Sequence, residues 1–284
     1  MNVQTRIDVA LRAAVSRIAG CSDSPRLDAE LLLMQALNVQ RSYLIAHPED
    51  TLDSAAEMRF DSLVERRSRG EPIAYISGQK EFWTLNLMVS PATLVPRPET
   101  ELLVQLALNN IERDRAVDVL DLGTGSGAVA LAIASERPLA SVTATDISEA
   151  ALNVARENAR QADLANVTFA AGNWTEPVRD GKFAVIASNP PYVSADDPAL
   201  ALLEHEPLSA LASGADGLDA IRTLARDCAD LLAPNGVLLL EHGSEQASEV
   251  AAILQQHGWH SPQCHSDLAG LPRVTVATRT ECRA

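Results

Sequence analysis

The first seventy residues carry apolar side chains at helical spacing, three or four residues apart. The first such face consists of Val3, Ile7, Leu11, Ala14 and Ile18. Similar faces follow over 27–37, around 42–46 and over 54–69, and nothing in this region alternates with a period of two. The pattern predicts a small helical bundle over residues 1–72.

The periodicity changes after Pro72. Apolar residues at positions 83, 85, 87 and 89 alternate, as in a strand with one buried face, and Gly78 is a candidate turn residue. This alternation predicts a β-hairpin connector over 73–95. A helix from about residue 100 to residue 111 is expected to follow it.

From residue 117 onward, predicted strands and helices alternate. The predicted strands cover 117–122, 141–146, 167–171, 183–188 and 236–241. The C-terminal end, with a late strand over 274–276, is expected to add an antiparallel pair. This alternation is typical of a doubly wound parallel sheet. The sequence therefore predicts an α/β domain over 96–284, preceded by the helical domain and the connector.

The composition argues against two classes of function, nucleic-acid binding and membrane association. The 284 residues include 23 Lys and Arg against 38 Asp and Glu, a formal net charge of −15. Duplex DNA carries one negative charge per roughly 1.7 Å, so this acidity argues against direct nucleic-acid binding through overall charge. No apolar run approaches the roughly 18 residues that cross a bilayer, and no membrane association is expected.

The cysteines indicate a reducing compartment. None belongs to a C-x-x-C pair or to a cluster with histidines, so we expect reduced thiols, no metal site and a cytoplasmic protein. The four residues are Cys21, Cys228, Cys264 and Cys282.

A glycine-rich run, VLDLGTGSG over 119–127, follows the first predicted strand of the α/β domain. Glycine permits a tight turn and lets the backbone approach a ligand closely. The spacing differs from the G-x-G-x-x-G of dinucleotide binders and resembles that of class I (Rossmann-like) methyltransferases that use S-adenosyl-L-methionine. The resemblance implies that this cofactor binds at Gly123, Thr124, Gly125, Ser126 and Gly127.

Two residues after the next strands complete the expected cofactor site. Asp146 ends the second strand, where a carboxylate can accept hydrogen bonds from both ribose hydroxyls; the alternative is a helix N-cap for 147–159. Trp174 follows the third strand, at a turn that lies beside the adenine in class I methyltransferases; the alternative is core packing. Asp121 is a candidate for orienting the glycine loop.

The chemical site is predicted at Asn189, Pro190, Pro191 and Tyr192, which follow the fourth strand. An amide nitrogen is a poor nucleophile because its lone pair is delocalised. The Asn189 side-chain carbonyl and the Pro190 backbone carbonyl can each accept one N–H of a target NH₂ group, and Tyr192 can stack on its plane. Asn189 also borders the expected cofactor site. Catalysis would then rest on positioning and electrostatic support.

Further strings resemble one family, the bacterial peptide chain release factor N5-glutamine methyltransferases (HemK/PrmC family). They are EPIAYISG over 71–78, EFW over 81–83, LVPRPETE over 94–101, EHEP over 204–207 and LEHG over 240–243. The resemblance implies methylation of the glutamine in the Gly-Gly-Gln motif of class I release factors. It also implies that the helical domain binds the release factor body. Arg97 and Glu99 would lie near the site or anchor a loop.

Three alternatives stay open. A glutamine methyltransferase of a ribosomal protein could share the same catalytic module. A nucleic-acid adenine N6-methyltransferase could use the same acceptors on an exocyclic amine, but it would need a basic groove. A binding module that only senses the cofactor would not need the amide acceptors. We expect His205 and His242 to have structural roles.

Overall fold

The computed structural model describes residues 5–279, which fall into two units, Met1–Gln79 and Lys80–Ala284. Among the described residues, no helix is both long and apolar enough to cross a membrane. Val3 and Cys282 lie outside the described residues.

The first unit is helical, as the periodicity predicts. Its helices are α1 (Ile7–Ile18), α2 (Pro25–Leu37), α3 (Arg41–Ala46), α4 (Ser54–Ser68) and α5 (Ile73–Ser77). The apolar faces meet in one core that includes Leu11, Leu33 and Phe60. A buried ion pair joins Asp28 of α2 to Arg67 of α4 at 2.8 Å. This pair fixes the contact between the two helices, because removing either partner would leave a buried charge unpaired.

The predicted hairpin occupies only part of its segment. Its strands are β1 (Gln79–Phe82) and β2 (Leu85–Met88), and Trp83 takes a positive φ of 56° at the turn between them. Residues 73–77 form α5 instead, and Gly78, with a φ of 75°, ends that helix rather than turning the hairpin. A helix of five residues is too short to show a helical period, which is why the sequence pattern did not predict it.

The second unit is built on a seven-stranded sheet in the order β5-β4-β3-β6-β7-β9-β8. The strands are β3 (Asp118–Leu122), β4 (Ser141–Asp146), β5 (Val167–Ala171), β6 (Phe183–Ser188), β7 (Leu232–Glu241), β8 (His260–Ser266) and β9 (Pro272–Thr278). β3 to β7 are parallel, and β9 pairs antiparallel with both β7 and β8.

Helices cover both faces of this sheet. They are α6 (Glu101–Asn109), α7 (Ala128–Glu136), α8 (Glu149–Gln161), α9 (Asp219–Asp227) and α10 (Ala247–Gln256). Alternate residues of one strand point to opposite faces, so Val119 belongs to the core cluster with α6 and α7, and Leu120 to the cluster with α9 and α10. The doubly wound α/β fold predicted from the sequence is confirmed.

The strand order reverses beside β3, since the chain adds β4 and β5 on one side and then β6 on the other. Ligands of doubly wound folds bind at the carboxyl ends of the strands at such a switch point. Leu122 and Ser188 are register partners, and the Ser188 hydroxyl donates to the Leu122 carbonyl at 2.7 Å. The glycine loop and the Asn-Pro-Pro-Tyr segment therefore start side by side.

Asn158 of α8 joins the hairpin to the glycine loop. Its Oδ1 accepts from the Met88 N–H at 2.7 Å, and its Nδ2 donates to the carbonyls of Met88 at 3.0 Å and Ser126 at 2.9 Å. The side chain is buried. It therefore satisfies backbone groups that water cannot reach.

We expect Asn158→Ala to lower the free energy of unfolding by about 2–4 kcal/mol, because it leaves several buried polar groups unpaired. Urea denaturation measures this change. Asn153→Ala is the matched control, since Asn153 lies exposed on the same helix; it should cost less than about 0.5 kcal/mol. Equal costs for the two variants would contradict the bridging role.

Candidate active site

A cavity of about 430 Å³ lies among residues that follow the carboxyl ends of the central strands. This volume falls within the usual range for small-molecule sites. Eight of the predicted site residues line it: Gly123, Thr124, Gly125, Ser126, Asp146, Trp174, Asn189 and Pro191. The other three, Gly127, Pro190 and Tyr192, lie next to these residues in the chain but are not part of the cavity wall.

The glycine loop needs glycine for two different reasons. Gly125 has a φ of 57°, and no atom lies within 4 Å of where its Cβ would be. The space beside its Cα is therefore part of the open cavity. Gly127 has a φ of 87°, and its Cβ would come within 3.0 Å of Leu131 and 3.2 Å of Ala155. Gly125 therefore leaves room for a ligand, whereas Gly127 lets α7 begin close to α8.

Asp146 holds the glycine loop through one carboxylate oxygen and the start of α8 through the other. Its Oδ2 accepts from the Gly125 N–H at 2.9 Å, and its Oδ1 accepts from the Ser148 N–H at 2.8 Å. The N-cap of α8 is Ser148, whose hydroxyl accepts from Ala151. Asp146 is thus not the helix cap. Each of its oxygens has further capacity to accept a hydrogen bond from a ligand.

Asp121 is buried behind the loop. Its Oδ2 accepts from the Thr124 hydroxyl at 2.7 Å and from the Ala130 N–H at 3.1 Å. Burial raises the pKa of Asp121 to about 6; the two hydrogen bonds oppose this shift, and the charge of Asp146 adds to it. Asp121 therefore joins the glycine loop to α7.

The raised pKa of Asp121 predicts a stability change with pH. Its pKa is about 6 in the folded state against 3.8 for an ordinary aspartate, so the folded state binds more protons between these values. Stability from this group is then present below about pH 4 and lost as the pH rises to about 6. Relative to Asp121→Asn, wild type should lose about 3 kcal/mol over that window. Denaturation of both proteins from pH 4 to 7 measures the difference, and parallel curves would contradict it.

The amide group of Asn189 has a defined partner. Its Nδ2 donates to the Thr100 hydroxyl oxygen at 3.1 Å, which leaves the side-chain carbonyl able to accept from a ligand. Pro190 is buried and Pro191 lines the cavity. Burial raises the pKa of Tyr192 to about 12, with a further contribution from the charge of Glu241. Tyr192 therefore remains a neutral phenol.

Arg97 both lines the cavity and anchors its loop. Its guanidinium pairs with the buried carboxylate of Glu206, which also accepts from the Val95 N–H at 2.9 Å. The segment around Pro96 is thereby tied to a residue 109 positions later. The sequence did not predict Glu206 or three residues of the cavity wall, Thr100, Thr93 and Ile147. Glu206 and Thr100 lie in strings that carry the family resemblance, whereas no local sequence pattern marks Thr93 or Ile147.

His242 has the structural role expected of it. It is buried, and its ring nitrogens bond the Gly243 carbonyl and the Thr275 hydroxyl, both at 2.9 Å. Burial lowers the pKa of His242, so the imidazole is neutral. His205 lies 3.9 Å from the Glu204 carboxylate.

The fold and the site together define a class I methyltransferase that uses S-adenosyl-L-methionine. The fold is a doubly wound sheet, and the site combines a glycine loop, the acidic residue at the end of the next strand and an Asn-Pro-Pro-Tyr segment at the switch point. Residues 9–78 match the family described as PrmC N-terminal domain, and residues 99–206 match the methyltransferase small domain. A solved methyltransferase from Pyrococcus furiosus, 21% identical, has a TM-score of 0.53 and covers 75% of this chain and 95% of its own. That likeness concerns the fold.

Curated relatives match over nearly their whole length. A release factor glutamine methyltransferase of Coxiella burnetii is 46% identical over 273 residues, covering 96% of this chain and 99% of its own. One of Xylella fastidiosa (strain Temecula1) is 48% identical over 268 residues, covering 94% and 95%. The chain belongs to the release factor glutamine methyltransferase family.

Proposed function

We propose that this protein transfers the methyl group of S-adenosyl-L-methionine to the side-chain amide nitrogen of the glutamine in the Gly-Gly-Gln motif of class I peptide chain release factors. The observation that carries the proposal is Asn189 at the cavity wall, with its NH₂ group bonded to Thr100 and its carbonyl able to accept. The names of the curated relatives support the substrate.

The residues after β6 suit an amide substrate. S-Adenosyl-L-methionine supplies an electrophilic methyl carbon, so the protein needs to present the amide lone pair rather than create a strong nucleophile. The Asn189 carbonyl and the Pro190 carbonyl would each accept one N–H of the glutamine. Proline adds no N–H that would compete for these acceptors and has a fixed φ. Tyr192, a neutral phenol, would stack on the amide plane.

The cavity wall suits a cationic cofactor. The residues proposed to hold it are Gly123, Thr124, Gly125, Ser126, Gly127, Asp146, Trp174 and Asn189. Asp121 and Asp146 contribute carboxylates to this wall, while the charge of Arg97 is paired with Glu206. Asp146 would accept from the ribose hydroxyls. Trp174 lines the cavity wall, with its ring 3.3 Å from where a Cβ of Gly123 would lie, and would cover the adenine.

We assign recognition of the release factor body to the helical domain, residues 1–72, with the connector over 73–95 and the methyltransferase domain over 96–284. A groove on the surface of the first unit supports this assignment. Residues of α2 and α4 line it, and Met58, 68% exposed, contributes an adaptable apolar side chain. The match of residues 9–78 to the PrmC N-terminal domain favours a release factor over a ribosomal protein.

Release factors act in translation, so we place the protein in the cytoplasm. Class I release factors are its proposed partners. We expect neither membrane binding nor direct nucleic-acid binding, because a chain with a net charge of −15 is repelled by phosphate backbones.

The decisive experiment offers labelled S-adenosyl-L-methionine with separate acceptors. These are a release factor, the same factor with the Gly-Gly-Gln glutamine replaced by alanine, a short peptide carrying the motif, and unmethylated DNA. We expect label on the intact factor, weaker label on the peptide, and none on the other two. Label on the alanine variant or on DNA would overturn the proposal, and equal rates for the peptide and the whole factor would remove the role of the helical domain.

A further inference from the structure

Glu241 is a buried carboxylate at the carboxyl edge of the sheet. It is the last residue of β7 and only 1% exposed. Ser188 is the register partner of Leu240, so Glu241, at the end of β7, lies at the level of Asn189, which directly follows β6. Among the described residues, no group makes a hydrogen bond of regular geometry to either of its carboxylate oxygens. A buried carboxylate without a well-formed hydrogen bond is unfavourable, so its presence here needs a physical reason.

Thr100 bonds Asn189 and lies near Glu241. It is 4% exposed, and its hydroxyl oxygen accepts from Asn189 Nδ2 at 3.1 Å. A hydroxyl has one hydrogen to donate and can rotate it towards an acceptor. That hydrogen is not used in the bond to Asn189. The Thr100 hydroxyl lies close enough to Glu241 to lower the pKa of its carboxyl, as does the hydroxyl of Tyr192.

We infer that Glu241 and Thr100 form a directional relay that holds Asn189 with its side-chain carbonyl towards the substrate amide. In this relay Asn189 donates to Thr100, and Thr100 donates to Glu241. Both are positioning residues, since neither is assigned a contact with the reacting atoms. The inference rests on the proposed function, in which Asn189 accepts an N–H of glutamine.

The direction of the hydrogen bonds in the relay decides whether the Asn189 carbonyl can accept from the substrate amide. If Thr100 donated to Asn189 instead, the amide would be turned by 180° and would present NH₂ to the NH₂ of the substrate. An ionised carboxylate can only accept, so it draws the Thr100 hydrogen and excludes that reversed arrangement. A protonated Glu241 could donate to Thr100 and permit it. The relay therefore requires Glu241 to be ionised.

The surroundings of Glu241 bring its ionisation into an accessible pH range. Burial raises the pKa of Glu241 to about 7; Thr100, the charge of Arg273 and Tyr192 oppose the shift, and the charge of Glu99 adds to it. The adjacent His242 is neutral because burial lowers its pKa. Ionised Glu241 thus predominates above about pH 7, and transfer should slow as the pH falls through that value.

The relay is tested by single-turnover methylation of an intact release factor at saturating cofactor. We expect Thr100→Val to slow transfer about tenfold or more, a loss comparable to one hydrogen bond. Thr100→Ser, which keeps the hydroxyl, should stay within about threefold of wild type. Glu241→Gln should slow transfer at pH 8 and flatten the pH profile between pH 6 and 8.5. The double variant, Thr100→Val with Glu241→Gln, should be no slower than Thr100→Val alone, because both changes break the same series of hydrogen bonds.

Thr275→Val is the matched control. It also removes a buried threonine hydroxyl, the partner of His242, and should leave transfer unchanged. Cofactor affinity should be the same in all these variants. Multiplied losses in the double variant, a serine variant as slow as the valine variant, or identical pH profiles for wild type and Glu241→Gln would each overturn the relay.

A readout without substrate separates this inference from the proposed function. In protein labelled with ¹⁵N-asparagine, the side-chain NH₂ resonance of Asn189 should titrate with a midpoint near pH 7 and lose that titration in Glu241→Gln. Absence of the titration in wild type would overturn the relay even if release factors are methylated. Failure to methylate them would overturn the proposed function, whatever the resonance does.

Discussion

Replacing Asn189 with alanine should lower the rate of methyl transfer by about 10²–10³-fold, while the affinity for S-adenosyl-L-methionine changes less than about threefold. The physical reason is that the lost carbonyl acts on the substrate amide. The loop beside it is held independently, because Ser188 bonds Leu122 and the Gln246 side chain donates to the Tyr192 carbonyl at 3.0 Å. Single-turnover rates and calorimetric titration with the cofactor measure the two effects.

Asn189→Asp is the matched variant. It keeps the size of the side chain and an oxygen that can accept, so its rate should lie between those of wild type and Asn189→Ala. It loses the donation to Thr100, which is why recovery should be incomplete. Methylation by Asn189→Ala at a near wild-type rate would remove Asn189 from its assigned role. A large loss of cofactor affinity would instead assign it mainly to cofactor binding.

The second large effect is expected at Asp146. Asp146→Ala should weaken cofactor binding by about 100-fold, because it removes the proposed acceptors for the ribose and also releases the Gly125 N–H. Hydrogen bonds to a charged group contribute about 1.5–3 kcal/mol each, so the loss of one or two accounts for this factor. Calorimetric titration measures the affinity, and turnover at saturating cofactor should recover in part.

Ser148→Ala separates this role from helix capping. Ser148 caps α8 and accepts from Ala151, yet it keeps the backbone N–H that bonds Asp146. Its removal should lower stability by about 1 kcal/mol and change cofactor affinity by less than about threefold. If both variants weakened binding equally, the effect of Asp146 would come from the start of the helix and not from contact with the cofactor.

The sequence pattern predicted β3, β4, β5 and β6 to within one residue of their bounds. β3 and β6 lie inside the sheet and are short apolar runs bounded by turns, because both of their faces are buried. β5 is an edge strand and is only partly buried. β7 starts earlier than predicted, at Leu232, which pairs with Phe183 before a register shift. The antiparallel pair expected at the C-terminal end is formed by β8 and β9. No bounds were predicted for β8, because it is an edge strand whose largely polar sequence, HSPQCHS, has no buried face to produce alternation.

The sequence alone was enough to predict the glycine loop, Asp146 and the Asn-Pro-Pro-Tyr segment, because each is a local feature at the carboxyl end of a strand. It also determined the family, since several such strings occur together in one order. Only the tertiary structure placed Thr100 against Asn189, 89 positions away, and Glu206 against Arg97. It alone showed that Glu241 is buried near Thr100 without a regular hydrogen bond from any residue that the structure describes. A side chain's hydrogen-bond partners depend on which strand ends are neighbours in the sheet. No periodic pattern of residues along the sequence reports which strands are neighbours, so these contacts could not be predicted from it.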